Sequence, residues 1–357
     1  MLSIMQHCFG KDYSGGPVNA FNRLMKHSKY EYSTIRQLEP AGGINKLLIN
    51  NFVKEIKRQK PDLIHIRGLG NEGFHAALAA KIAGVPNILV SIHGTHRDLK
   101  YHSNPIKKWI MVNIFEKLTL NFATDIVTVC EYAANRDFLR PYQNKLRGWV
   151  SNGVHLSELP NKKDRESLKS ELDIKQNIKV GICVSRITIE KGYLVLAEAL
   201  KKIDIPNNKF LLLIVGGGDE SGEIRSYYSG LKFIDVQFIG YSNSVEKYLS
   251  ISDFFIFPSL HENLSNALIE AMSYQLPVVA TEVGGNTEVL QKGGGLLVKP
   301  NDPEDLAEKI QIFLENNDFV ESMGKLARTN IEKNYSLDRM VNSWENLYES
   351  ILYKEKI

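Results

Sequence analysis

Phe257-Pro-Ser-Leu-His-Glu-Asn-Leu-Ser-Asn-Ala-Leu-Ile-Glu-Ala-Met272 is the stretch on which the fold turns. The apolar run Phe254–Phe257 reads as a buried strand, and a short loop carries His261 and Glu262. A helix is expected to begin near Ser265. Its first turn leaves backbone N–H groups without intrahelical partners, and these can receive a diphosphate. Glu270 lies in the second turn, within reach of a ribose across the helix start, and Glu262 is placed to face a sugar. Two glutamates eight positions apart also fit a solvated helix face; the strand–loop–helix setting is what sharpens the functional reading.

A second segment, Cys183-Val-Ser-Arg-Ile-Thr-Ile-Glu-Lys-Gly192, follows another apolar run and brings Arg186 and Lys191 past a strand end. Cations there stabilise the charge that develops on a departing phosphate, although two ordinary surface cations would look the same. A third, Ile214-Val-Gly-Gly-Gly-Asp219, sets glycines after a strand, where the backbone can approach a ligand closely. Gly216-Gly217-Gly218 lacks the spacing of the dinucleotide fingerprint, so a nicotinamide dehydrogenase is not indicated.

Outward from these segments, the pattern repeats. Lys179–Ser185, Phe210–Val215, Val236–Ile239 and Pro277–Thr281 read as further strands, each followed by turn residues and a helical stretch. The first half does the same with Leu2–Cys8, Asp62–Ile66, Ile88–Ile92 and Asp125–Cys130, with helices over Val18–His27, Asn71–Ala83 and Ile106–Leu120. Strands alternating with helices predict an α/β protein of two facing, Rossmann-like, doubly wound parallel-sheet domains, with ligands in the cleft at the carboxyl ends of the strands. Polar, lysine-rich residues 157–177 are expected to be the linker. Met340, Trp344, Leu347, Tyr348 and Ile351 recur at helical spacing, so the tail must bury one face.

The 357 residues suit two domains, and 43% hydrophobic with 24% charged residues is an ordinary globular balance. No apolar run is long enough to span a bilayer. Met1–Phe9 reads as a first buried strand rather than a signal peptide. Cys8, Cys130 and Cys183 are odd in number and set among apolar neighbours, as expected of reduced core thiols in a cytoplasmic protein. The net charge of +3 conceals a split: residues 1–150 hold 21 Lys and Arg against 11 Asp and Glu, while the rest is net acidic.

With these segments in view, the chain resembles the retaining glycosyltransferases of family 4, the bacterial-type group 1 enzymes of GT-B fold. The resemblance runs along nearly the whole chain and is dense from Asn152 to Pro303. Glu262 and Glu270 match the family's paired glutamates, Arg186 and Lys191 its arginine–lysine pair, and Asn152-Gly153-Val154 the turn closing its first domain. Leu276 to Glu288 looks like the segment that follows the glutamate motif. The resemblance implies domains of 1–155 plus 340–357 on the acceptor side, and 156–339 for the nucleotide-sugar donor. Arg186 and Lys191 would hold the diphosphate, and Glu270 the ribose. Glu262 would contact the sugar, with backbone amides of Asn263, Leu264, Ser265 and Asn266, and the backbone at Gly217, Ile239 and Tyr241 would lie by the nucleotide. Gly15 and Gly16 match the family's glycine loop. His93, ending a strand, matches the histidine that reaches the sugar. Arg67, His96 and Arg97 are acceptor-side candidates. Two departures stand out: His155 replaces a frequent aspartate, and Cys130 a frequent serine.

The activity so implied is transfer of a hexose or N-acetylhexosamine from a nucleotide diphosphate sugar, UDP-linked on family frequency, to a glycan or lipid-linked acceptor in cell-surface polysaccharide synthesis. No Asp-x-Asp is present, so neither a metal nor another cofactor is expected, and nucleic acid is not an expected partner. A sugar-nucleotide epimerase on the same scaffold is the alternative. In the family the tail crosses back to the first domain. The basic first half, with Lys107, Lys108 and Lys117 among Trp109, Ile110, Met111, Ile114 and Phe115, raises contact with an anionic membrane as a further expectation. The alternative there is that the apolar side chains enter the core and the lysines stay solvated.

Overall fold

The computed structural model describes residues 3–11, 16–98, 104–175, 178–204, 210–219, 221–231 and 234–353. The chain forms two α/β units, one of residues through Gly153 together with those from Leu337 onward, the other of Val154–Ser336. The junctions lie within three residues of those expected. Val154 belongs to the second unit because its N–H donates to the Tyr335 carbonyl (2.9 Å) and it bridges to Ser336.

The N-terminal unit is built on six parallel strands: β1 (Ile4–Phe9), β2 (Tyr32–Gln37), β3 (Leu63–Arg67), β4 (Asn87–Ile92), β5 (Asp125–Thr128) and β6 (Leu146–Trp149), in the order β2-β1-β3-β4-β5-β6. The central strands are apolar runs buried on both faces, as a helix-covered parallel sheet demands. Helices Lys46–Gln59 and Gly70–Ala83 cover one face with Phe52, Ile56, Ala76 and Ala80.

Helix Gly16–His27 and the tail helix Leu337–Leu352 lie on the other face, with Leu24, Met340, Trp344, Tyr348 and Ile351 packed on Ile4, Leu63, Leu89 and Val127. The tail thus finds the apolar partner that its spacing requires. Glu345 adds a polar clasp, its Oε1 accepting from Lys29 N–H (2.7 Å) and Ser28 Oγ (2.8 Å).

The C-terminal unit also has six parallel strands: β7 (Lys179–Val184), β8 (Phe210–Val215), β9 (Ile234–Gly240), β10 (Phe254–Phe257), β11 (Val278–Thr281) and β12 (Gly295–Val298), in the order β12-β11-β10-β7-β8-β9. Phe254 stacks on Phe210 and meets Phe313 edge-on, with ring centroids 5.6 and 5.7 Å apart. All three cysteines are buried, and none forms a disulfide.

Residues 157–177 correct one expectation. They are not a linker, because Lys162–Glu171 is a helix whose N-cap Asn161 accepts from Asp164 N–H (3.0 Å). Arg165 ties this helix to its own unit, donating to Asp253 Oδ1 (2.7 Å) and to the carbonyls of Ile251 and Ser252. Lys169 is buried, with its ammonium 3.5 Å from the Ile178 carbonyl. A lysine-rich composition concealed one anchoring arginine and one buried lysine.

Candidate functional site

In the C-terminal unit the candidate residues gather at the carboxyl end of β10, next to β7. Beyond Phe257 the chain crosses to helix Asn266–Ser273, whose N-cap Ser265 accepts from Leu268 N–H (3.4 Å). Asn263, Leu264 and Ser265 are buried, while Asn266 and Glu270 are half-buried. Gly285 pins this loop by donating its N–H to the Asn263 carbonyl (2.7 Å). The helix therefore begins just beyond a strand end, where amides of its first turn lack intrahelical partners.

Lys191 arrives from the tight turn Ile189–Lys191 after β7. Its ammonium lies 2.5 Å from Glu262 Oε1, which also accepts from Ser259 Oγ (2.8 Å). Gly192, at φ +75°, makes this meeting possible, because a Cβ there would collide with the Pro258 carbonyl. Leu260 N–H donates to the Glu190 carbonyl (2.8 Å), a second tie between the same segments. One cation and one carboxylate from distant parts of the chain are thus locked together.

Arg186 is exposed, and among the described residues it forms no ion pair. Backbone bonds from Ser185 N–H to Val215 O (3.1 Å) and from Ile187 N–H to Gly217 O (2.8 Å) hold it beside the glycine loop. Gly216 N–H donates to the Gly240 carbonyl (2.8 Å), which brings the ends of β8 and β9 together near Ile239 and Tyr241. Tyr241 is 66% exposed and adjoins Gly217. Arg186, Gly217 and Tyr241 thus form one cluster, and Lys191 and Glu262 another. Ser259, three residues before Glu262 in the same loop, is a partner that the sequence reading did not single out.

In the N-terminal unit, His93 lies just past β4 and is half-buried. Arg67 departs from its expected role. It is 4% exposed, its Nη1 donates to Gln6 Oε1 (2.8 Å) and the His7 carbonyl (3.1 Å), and its guanidinium lies over the Phe21 ring. It belongs to the interior because β1 and β3 are adjacent and present it to Gln6. His96 and Arg97 face the buried carboxylate Glu116, which accepts from His96 N–H at 2.7 Å and has Arg97 Nε at 3.3 Å. That glutamate, on the helix Glu116–Phe122, gave no sign in the sequence of being their counterion. Gly16 begins a helix, and Gly15 lies outside the described residues. Cys130 occupies the N-cap of Glu131–Ala134 without capping it, and His155 is exposed.

Electrostatics separate the histidines. Burial, and then the Arg67 charge, hold His7, His65 and His93 below the ordinary imidazole range, His7 to about 3. The hydrogen bond with Glu116 raises His96.

Comparison with known proteins agrees with this architecture. Residues 164–330 match the family described as glycosyl transferases group 1, and residues 20–158 match glycosyltransferase family 4. Over 317 residues the chain is 24% identical to the N-acetyl-alpha-D-glucosaminyl L-malate synthase of Bacillus anthracis, covering 87% of this chain and 80% of that protein. It is 26% identical to a UDP-Gal:alpha-D-GlcNAc-diphosphoundecaprenol alpha-1,3-galactosyltransferase of Escherichia coli, covering 84% and 78% respectively. The fold matches that of Anabaena HepE, solved with UDP-glucose, at a TM-score of 0.80 and 17% identity, covering 98% of this chain and all of that one.

The buried histidines set a pH dependence. Their folded pKa values lie below the unfolded value of about 6.5, so the stability they confer is complete above that pH. It is lost as pH falls toward the folded values, about 3 for His7 and His93. His96, being raised, acts oppositely, but it is one group against three. The unfolding midpoint should therefore fall between pH 7 and pH 4. His7 has no hydrogen-bond partner for either ring nitrogen among the described residues. His7→Leu should accordingly flatten that acid limb; a limb superimposable on the native one would contradict this reading.

Proposed function

The chain belongs to the group 1 glycosyltransferases, and from that premise we propose that it moves a hexose or N-acetylhexosamine from a nucleoside diphosphate sugar to a hydroxyl of a glycan or lipid-linked acceptor. UDP is the favoured carrier, and cell-surface polysaccharide synthesis the setting. The observation that carries the proposal is the Lys191–Glu262 pair beside the start of helix Asn266–Ser273. There a diphosphate meets cations and helix amides, and a sugar meets a carboxylate already held in place.

Arg186, Lys191 and the first-turn amides stabilise the departing diphosphate, so the transfer needs no divalent metal. Glu270 binds the ribose, and Glu262 a sugar hydroxyl. His93 is assigned to the donor sugar by resemblance alone. Anomeric configuration is retained. The bond from C1 to the phosphate oxygen breaks, the acceptor oxygen bonds to C1 on the same face, and its proton passes to the leaving phosphate.

Lys191→Ala and Arg186→Ala should each lower turnover by on the order of 10²-fold, the scale of a lost charge-stabilising group. Glu270→Ala should weaken nucleotide binding, and Glu262→Ala should chiefly slow transfer. Excess chelator should leave turnover unchanged. Product analysis with labelled UDP-sugar and acceptor reads all of these; wild-type transfer by Lys191→Ala, loss that manganese restores, or isomerised donor without transfer would each contradict the proposal.

The N-terminal unit has a surface suited to an anionic bilayer. Ile106 is 72% and Trp109 60% exposed, beside Lys107 and Lys108, while Met111 and Phe115 turn inward toward Phe74. Apolar tips flanked by ammonium groups suit a headgroup layer, where each basic side chain contributes about 1 kcal/mol. No helix among the described residues is long and apolar enough to cross a membrane. The protein should sediment with anionic but not neutral vesicles, 0.5 M salt should release it, and Trp109→Ala with Lys107→Ala should abolish the effect. Equal partitioning onto neutral vesicles would contradict it.

A further inference from the structure

Two guanidinium groups pack against Phe138 in the N-terminal unit, and only one of them is fully paired. The guanidinium carbons of Arg97 and Arg136 lie 4.8 and 5.1 Å from the ring centroid. Arg136 meets Asp98 with two hydrogen bonds, Nη1 to Oδ2 at 2.9 Å and Nη2 to Oδ1 at 2.6 Å, the fork that satisfies a carboxylate most fully. Arg97 has no such fork. Its Nε lies 3.3 Å from Glu116 Oε2 without hydrogen-bond alignment, and its Nη2 donates to the Val112 carbonyl at 3.3 Å. Nη1 has no partner among the described residues, and 26% of the side chain is exposed, so that edge of the guanidinium reaches solvent.

The surroundings fix Arg97 without cancelling it. Glu116 is wholly buried and faces two basic groups: Oε1 accepts the His96 N–H at 2.7 Å and lies 3.5 Å from His96 Nδ1, while Oε2 faces Arg97. The next carboxylate, Glu72, adjoins the His96 ring at Gly70 and makes no ion pair with Arg97 among the described residues. Glu116 owes its position to a local irregularity. Its N–H bonds back to the Met111 carbonyl, five residues earlier, where an α-helix would reach back four. This π turn, Met111–Phe115, widens the helix and brings Glu116 round toward the side that Met111 buries. One irregular turn and the residue after it thus supply both the carbonyl and the carboxylate that hold Arg97.

We propose that Arg97 is a specificity-determining residue that binds an anionic group of the acceptor, a carboxylate or a phosphate, and that Glu116, Phe138 and Val112 are positioning residues that fix its guanidinium. A surface arginine loses side-chain freedom when it grips a ligand; Arg97, held at Nε, at Nη2 and on one face, has already lost it. Its planar donors match the oxygens of either group. The place suits a ligand, because Arg97 follows β4 and Phe138 follows β5, at the carboxyl ends of neighbouring parallel strands. This assignment rests on the reading of the chain as a transferase whose N-terminal unit takes the acceptor. It adds what that acceptor carries: an acidic sugar or a phosphoryl-linked glycan, not a neutral one.

Nε–H spectra of the full chain labelled with ¹⁵N-arginine test this, with Arg97→Gln identifying the resonance and saturating UDP keeping added anions off the donor site. The Arg97 signal should move with geranyl diphosphate or with methyl glucuronide, and stay in place with the neutral methyl glucoside. The anion that moves it names the source, a lipid diphosphate or an acidic sugar. By calorimetry, Arg97→Gln should weaken the Kd for that anion by about tenfold or more, the scale of a lost charge-assisted hydrogen bond. Glu116→Gln keeps the Arg97 charge and an acceptor for the His96 N–H, yet should weaken the same Kd because the guanidinium is no longer fixed. UDP affinity should be unchanged in both variants, and a retained melting transition shows that each has folded. An Arg97 signal unmoved by either anion, or moved equally by methyl glucoside, would overturn the anion site; native anion affinity in Glu116→Gln would overturn the positioning role. Labelled-donor product analysis separates this from the transferase reading: an anion bound at Arg97 by a protein that transfers no sugar would overturn that reading and leave the anion site standing.

Discussion

The tight seat of Gly192 against the Pro258 carbonyl, where no Cβ fits, is the constraint on which the site of the C-terminal unit depends. Lys191 and Glu262 are 71 positions apart, and each follows a different strand. A side chain at 192 would force those loops apart. With glycine there, the ammonium and carboxylate pair at 2.5 Å, Ser259 holds the same carboxylate oxygen, and Leu260 bonds back to Glu190. The pair is partly buried, so its value lies in where it holds the two groups more than in net stability. What results is a cation and a carboxylate fixed together near a helix start; the proposed transfer would use this as preorganisation.

The N-terminal unit uses the opposite device. Its strand ends carry a buried cation, Arg67, which donates to the Gln6 amide oxygen and the His7 carbonyl. That charge, with burial, keeps three histidines neutral. Beside it a line of buried hydrogen bonds runs from Gln6 through Tyr348 and His65 to Ser91. A buried polar line of this kind is costly unless every member is satisfied. The tail helix helps satisfy it: Tyr348 supplies the hydroxyl, and Trp344 packs on His65. Apolar burial and polar registration are therefore met by the same few residues of the tail.

Much of this was legible in the sequence, and the exceptions have physical causes. The central strands announced themselves as apolar runs because both of their faces are buried. β2, β6 and β12 went unread because they lie at sheet edges, where half-exposed sequences such as Tyr32–Gln37 and Leu146–Trp149 carry no continuous apolar signal. The polar residues 157–177 were read as a linker because composition cannot reveal that Arg165 reaches the Asp253 carboxylate. The placement of Arg186, Lys191, Glu262 and Glu270 past strand ends and at a helix start was legible from the apolar runs before them. Their mutual contacts were not, and neither were Ser259, Glu116 or the line from Gln6 to Ser91. The Gln6–His65–Ser91 contacts exist only once sheet register is set, and the others only once their loops and helices are folded.

The central claim, that Gly192 holds Lys191 and Glu262 in a preformed site for a nucleoside diphosphate, is tested most directly by calorimetric titration of UDP into the native protein and Gly192→Ala. The account predicts at least a tenfold weaker Kd in the variant, because the alanine methyl must displace the Pro258 loop and separate the pair. Native-like UDP affinity in a folded Gly192→Ala protein would contradict it.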